Sequence, residues 1–121
     1  MQTNISTVIV LLGLLSVVFC LKNVGIYYGW PSAFNSATNS WNLDKVAADM
    51  SKYGVIVLGA GLQKISHGDH ANTVTIIGKI SASVEIFGYI DIGNTNSFSM
   101  ADMKTSTDEW KTMGVDGVLL D

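Results

Sequence analysis

Four nearly continuous apolar, β-branched runs punctuate the chain, beginning at Val24, Val55, Val84 and Val115 and reading VGIYY, VIVLGAG, VEIFGYI and VDGVLL. Hydrophobicity that is continuous rather than alternating is what strands covered on both faces of a parallel sheet require. Their spacing of about thirty residues is that of a βα unit. In the first interval, Leu43, Val46, Ala47 and Met50 recur at i, i+3, i+4 and i+7, which predicts a helix with Tyr53 at its end and Gly54 as a C′ residue of positive φ. The second interval, about residues 70–81, is rich in Thr, Val and Ile, which are poorer helix formers. Its place between two strands still predicts a helix, with Val74, Ile77 and Ile80 facing inward. The third helix is predicted to start at Ser99 as N-cap, with Asp102 three residues on as a variant capping box. Met100, Met103, Thr107 and Trp110 form its inner stripe, and Gly114 closes it.

The joints MSKYGVIVLG and WKTMGVDGVLL share one grammar, a helix end, then Gly-Val, then a strand, so the strands are expected to run parallel. The single proline, Pro31, falls in the predicted loop after the first strand. The expected fold class is therefore α/β, the first four βα units of a (β/α)8 barrel. A closed barrel of this kind takes roughly 250 residues, so the chain is expected to be a partial barrel that stops after its fourth strand. An open flavodoxin-like domain is the alternative. That fold needs a reversal of strand order and a phosphate-binding first loop, and the loop after Tyr28 has neither glycine richness nor a basic residue.

The first twenty residues stand apart. Residues 8–19 are apolar except for Gly13 and Ser16, and no charged side chain precedes Lys22. Spanning a bilayer takes about 20 apolar residues, so residues 1–20 are expected to be a secretory signal, with Val18 and Cys20 preceding a cut before Leu21. An uncleaved apolar anchor is the alternative. Residues 21–121 then form the one domain, and a secreted or extracytoplasmic location follows. Cys20 is the only cysteine, so disulfides, a Cys-based zinc site and a thiol nucleophile are not expected in that domain.

Charge narrows the chemistry. The net charge is −3, all seven basic residues are lysine, and arginine is absent. Without the bidentate guanidinium fork, phosphoryl chemistry and nucleic-acid binding are disfavoured. LGAGLQ lacks both the full GxGxxG spacing and the Lys-Ser/Thr of a P-loop, and no nucleophile elbow occurs. A neutral, sugar-like ligand fits better, with no cofactor.

In a parallel barrel the reactive side chains lie at the carboxyl ends of the strands. Those ends carry Tyr27, Tyr28 and Trp30 after the first strand, Gln63, His67 and Asp69 after the second, Tyr89 and Asp91 on the third, and Asp121 on the fourth. Glu85 and Asp116 fall at the opposite ends, where solvation or stability is their expected role. Hydrolysis of a glycosidic bond needs two carboxyl groups, and Asp91 and Asp121 end neighbouring strands. Asp91 is equally placed to cap the following turn, and Asp121 to be an ordinary surface residue. The tyrosines and Trp30 are able to stack on sugar faces or simply to pack. The HGDH cluster at residues 67–70 lacks the i, i+4 spacing of helical zinc sites, and Asp69 is a natural N-cap, so no metal site is assigned.

The segments VEIFGYIDIGNTNSFSMADM and EWKTMGVDGVLLD, with YY after the first strand and VLGAGLQ before HGDH, resemble the spherulin-4-like, endo-α-1,4-polygalactosaminidase-type group of glycoside hydrolases. The resemblance runs from about residue 24 to the end. It implies a barrel whose upper face handles a polysaccharide or amino-sugar oligosaccharide, with Asp121 as one catalytic carboxylate. A second acid, generally a glutamate, would lie beyond Asp121, so the chain alone is expected to be a poor enzyme. A carbohydrate-binding relative without catalysis is the alternative. A four-strand piece would also leave barrel edges open to self-association.

Overall fold

The computed structural model describes residues 22–93 and 98–121, so the expected signal or anchor lies outside the described residues. Four strands form one all-parallel sheet in the order β1-β2-β3-β4, with β1 at Val24–Tyr27, β2 at Val55–Leu58, β3 at Glu85–Ile90 and β4 at Gly117–Leu120. The described strands therefore contain no reversal of order, the feature a flavodoxin-like sheet would need. The expected starts at Val24 and Val55 hold; β3 begins one residue after Val84 and β4 two residues after Val115. Among the described residues, no helix is long and apolar enough to cross a membrane.

The β1–β2 connection is more structured than a loop. Pro31 opens a 3-10 turn, Pro31–Ala33, where its missing N–H and fixed φ suit a first helical position, and a short helix α1 follows at Ser36–Asn39. Helix α2, Leu43–Met50, is capped by Asn42, whose side chain accepts from the backbone N–H groups of Asp44 and Lys45. It buries Val46, Ala47 and Met50 as its periodicity predicts. Gly54 does not take positive φ as expected; a Cβ there would stand 2.7 Å from the Lys22 Cβ, so close backbone approach explains the glycine instead.

Helix α3, His70–Lys79, buries Ile77 and, just past its end, Ile80 as predicted, but not Val74. Thr73, Ile76 and Ile77 are buried, whereas Val74 is 38% exposed. Thr73 is accommodated because its hydroxyl donates to the Asp69 carbonyl at 2.7 Å. Helix α4, Met100–Met113, carries the expected capping box, and Gly114 closes it at φ 92°. Its buried stripe is Ser106, Trp110 and Met113; Met100, expected inside, is 78% exposed in the first turn.

Parallel crossovers are right-handed almost without exception, so a sheet wound in consecutive order carries all its helices on one face. The core matches this. Ile56, Leu58, Ile86 and Ile90 from alternate strand positions join Val46, Met50, Ile76, Ile77 and Trp110 from the three longer helices in one cluster. The opposite face has no layer over it among the described residues: Val24 is 57% exposed, Ile26 74% and Leu119 44%.

Each strand, or its immediate end, holds one glycine beneath an aromatic ring. A Cβ would meet Tyr53 at 3.0 Å from Gly25, Tyr28 at 2.3 Å from Gly59, Trp110 at 2.2 Å from Gly88 and Phe87 at 2.8 Å from Gly117. Glycine in a strand marks such an approach. Gly88→Ala is therefore expected to lower the urea-unfolding stability by about 1–3 kcal/mol through overpacking. Gly78→Ala, where a Cβ has nothing within 4 Å, should instead raise it by about 0.5–1 kcal/mol because alanine suits a helix interior better. Equal effects at the two sites would contradict the seating of Trp110.

Candidate functional site

The register decides which side chains meet. Ile90 pairs with Leu120, and the ladder continues upward as the Asp121 N–H donates to the Ile90 carbonyl at 3.1 Å and the Ile92 N–H to the Asp121 carbonyl at 2.6 Å. Asp91 and Asp121 thus end β3 and β4 at one level. Side chains alternate along a strand, so both carboxylates belong to the uncovered face together with Tyr89. A Cβ placed on Gly93 would lie 3.9 Å from Asp91 Oδ1 and 3.8 Å from the Asp121 carbonyl oxygen, which shows how closely the two strand ends converge.

The Tyr89 hydroxyl donates to Asp121 Oδ2 at 2.9 Å. That bond, then lost hydration and the charges of Asp121 and Asp91, push the Tyr89 phenol above its ordinary value, because a phenolate would face carboxylates. Asp91 Oδ1 accepts from the Gly93 N–H at 3.1 Å, so this carboxylate also shapes the turn that follows it. Tyr28, 67% exposed, lies across the bare backbone of Gly59 and meets Tyr89 edge to face with ring centres 5.8 Å apart. The glycine leaves room for a ring that starts on β1 to reach over β2 toward β3.

A cavity of about 430 Å³ opens beside this group, between the exit of β2 and helix α4. Tyr28, Tyr89 and Asp91 line one side, and Asp102, Ser106 and Glu109 of α4 the other. The β2 exit supplies Gln63 and Lys64. Its backbone is sharply turned, with Ala60 at φ 62° and Gly61 at φ 74°; alanine in the left-handed region is strained, a feature that gathers at binding sites. Gln63 is 7% exposed, and its Oε1 has no hydrogen-bond partner among the described residues.

The remaining sequence-expected residues are placed elsewhere. Tyr27 points to the helix side, where its ring packs edge to face on Phe34 at 5.3 Å and its hydroxyl donates to the Trp30 carbonyl at 3.1 Å. Burial, and then the charge of Asp69, push its phenol up. Trp30 and His67 form a second aromatic pair, 5.7 Å apart over Gly68 and away from the cavity lining.

Asp69 occupies the N-cap position of α3 without capping a backbone N–H with its side chain. It is fully buried, and its carboxylate accepts from the Ser32 N–H at 3.0 Å, the Ser32 hydroxyl at 2.6 Å and Asn72 at 2.8 Å. It is a clamp between the Pro31–Ala33 turn and α3 rather than a group open to a ligand. His67 Nδ1 accepts from the Asp69 N–H at 3.1 Å, and His70 Nδ1 lies 2.9 Å from the Leu62 carbonyl, so both imidazoles engage backbone. At the lower ends, Glu85 pairs with Lys22 at 2.8 Å, and Asp116 Oδ2 accepts from the Ile86 N–H at 2.8 Å.

Sequence reasoning placed Asp102 as a cap only and did not reach Thr105, Ser106 or Glu109. The signal was present as a polar stripe at 102, 105, 106 and 109, the i, i+3, i+4, i+7 spacing of one helix face. Comparison with family models, with curated proteins and with solved structures finds no match for the chain.

Two substitutions separate the rim from its supports. Asp121→Asn is expected to lower the Tyr89 phenol titration toward the ordinary tyrosine value, read by ultraviolet or NMR pH titration; an unchanged titration would rule out the contact. Asp69→Ala should destabilise the fold by at least about 2 kcal/mol by leaving Ser32 without its buried acceptor. It should also leave the Tyr89 titration where it was.

Proposed function

We propose that the chain belongs to a (β/α)8-type barrel protein resembling secreted glycoside hydrolases, whose upper rim takes a polysaccharide and acts on it through Asp121 and Asp91. The observation that carries this reading is the placement of Asp91 and Asp121 at one level, at the carboxyl ends of neighbouring parallel strands, with Tyr89 bonded to Asp121. Consecutive strand order with helices on one face supports the barrel architecture, since a barrel is such a sheet closed on itself.

In this reading Asp121 and Asp91 supply carboxylate acid/base or nucleophilic chemistry at the sugar carbon. Tyr89 holds the Asp121 carboxylate in place through its hydroxyl. Tyr28 presents a ring on which a pyranose face can stack, and the cavity walls of Gln63, Ser106 and Glu109 offer hydrogen-bond partners to sugar hydroxyls. The exposure of Tyr28 and Trp30, at 67% and 51%, favours a second reading in which the rim binds carbohydrate without cleaving it.

Titration of the 121-residue chain with neutral, amino-sugar and uronic oligosaccharides, followed by NMR, is expected to shift Tyr28 and Tyr89. Tyr28→Ala should weaken binding about tenfold, in line with the loss of one stacked aromatic ring. Reducing-sugar release, where it is measurable, should fall at least about 100-fold in Asp121→Asn while binding stays within about twofold. Release that depends on Asp121 excludes the second reading, and absence of binding to all three sugar classes contradicts both.

A further inference from the structure

We infer that Gln63, Ser106 and Glu109 form a specificity subsite that takes the hydroxyl groups of a neutral saccharide ring and rejects a uronic one. The inference rests on the saccharide reading of the rim but not on hydrolysis. All three side chains line the cavity between the β2 exit and α4, and among the described residues none has a hydrogen bond or ion pair. Polar groups that converge unpaired on a cavity of this size are what a ligand site requires.

Gln63 is the least ordinary of the three. It is 7% exposed, and its buried Oε1 has no partner. An unpaired buried amide costs stability, so a partner supplied by a ligand recovers what the folded chain lacks. The backbone around it is fixed: Leu62 is fully buried, its carbonyl lies 2.9 Å from His70 Nδ1, and Ala60 and Gly61 turn the chain through positive φ. The amide therefore stays at the cavity wall. It carries a donor and an acceptor side by side, and the last torsion of a glutamine is soft enough to present either end.

The facing wall has a matching oddity. Along α4, the hydroxyls of Thr105, Thr107 and Thr112 each donate to the carbonyl four residues back, at 2.9, 2.8 and 2.9 Å. Buried Ser106 alone of the helix hydroxyls does not, which leaves it free to bond across the cavity. Glu109, half-buried and one turn further on, brings a carboxylate to the same face.

Sugar hydroxyls both donate and accept, so they satisfy the amide and Ser106 and give a proton to Glu109. A uronic carboxylate cannot. It has no proton to give, and it would enter a lining with Asp91, Asp102 and Glu109 against Lys64 alone.

NMR titration of the 121-residue chain with two trisaccharides of one stereochemistry, galactotriose and trigalacturonate, tests the subsite. Galactotriose is expected to shift the Gln63 side-chain amide signals and to bind at least about tenfold more tightly than trigalacturonate, as like-charge repulsion requires. Gln63→Met, of similar shape without the amide, should weaken galactotriose about tenfold. Ser106→Ala, which suits a helix, should weaken it in the same direction and serves if the first variant fails to fold. Glu109→Gln should narrow the gap between the two sugars. Equal affinity for the two sugars, or unchanged galactotriose binding in the folded variants, would overturn the subsite while leaving the saccharide reading in place. No binding of either trisaccharide, with Tyr28 and Tyr89 also unmoved, would overturn both.

Discussion

Trp110 laid across Gly88 is the contact on which the upper half of the molecule depends. The indole is fully buried, it fills the space a side chain on Gly88 would occupy, and its Nε1–H donates to the Tyr89 carbonyl at 3.3 Å. One residue thus docks α4 on β3, satisfies a strand-end carbonyl and fixes the backbone of the tyrosine whose hydroxyl holds Asp121. Because α4 is seated here, its polar stripe stands over the exit of β2 and makes the far wall of the cavity. The glycine is therefore a packing requirement of the helix, and through the helix a requirement of the rim.

The same device recurs on the other face with a different consequence. Tyr28 lies over Gly59 and Phe87 over Gly117, so aromatic rings rest on the bare backbone of the neighbouring strand or its end and tie adjacent strands together where no helix layer exists. Phe87 and Tyr89 remain half-buried as a result, while Ile26 on the edge strand is left in solvent. A sheet wound in one direction has this asymmetry built in: one face gains all the helices, and the other must be covered by curvature, by further strands or by another molecule. The position of the carboxylates follows from the same asymmetry, since residues 91 and 121 fall on the uncovered face by the two-residue alternation of their strands.

Much of this was legible in the sequence because it follows from local pattern. The β-branched runs located the strands, the i, i+3, i+4, i+7 spacing located α2, and Ser99 with Asp102 marked the start of α4. What escaped notice depended on tertiary partners. Val74 and Thr73 are adjacent, and only the hydroxyl bond from Thr73 to the Asp69 carbonyl allows the polar one to be the buried one. Tyr27 and Tyr28 look equivalent in the string YY, yet alternation sends the first to the core and the second to the rim. Asp69 reads as an ordinary N-cap, because nothing near it in sequence reveals that Ser32, 37 residues earlier, will claim both its oxygens. Gly54 reads as a helix-closing residue of positive φ, whereas the folded chain uses it for close approach to Lys22.

The account stands on the register between β3 and β4, because a slip of one residue would turn Asp121 to the helix side, away from Asp91 and Tyr89. Interstrand nuclear Overhauser effects on isotope-labelled protein read that register directly. The expected cross-peaks join the backbones of Phe87 and Gly117, Gly88 and Val118, and Tyr89 and Leu119 in a parallel pattern, with the Tyr89 ring close to Asp121. An antiparallel pattern, or a ladder displaced by a single residue, would contradict the assembly of the two carboxylates at one rim.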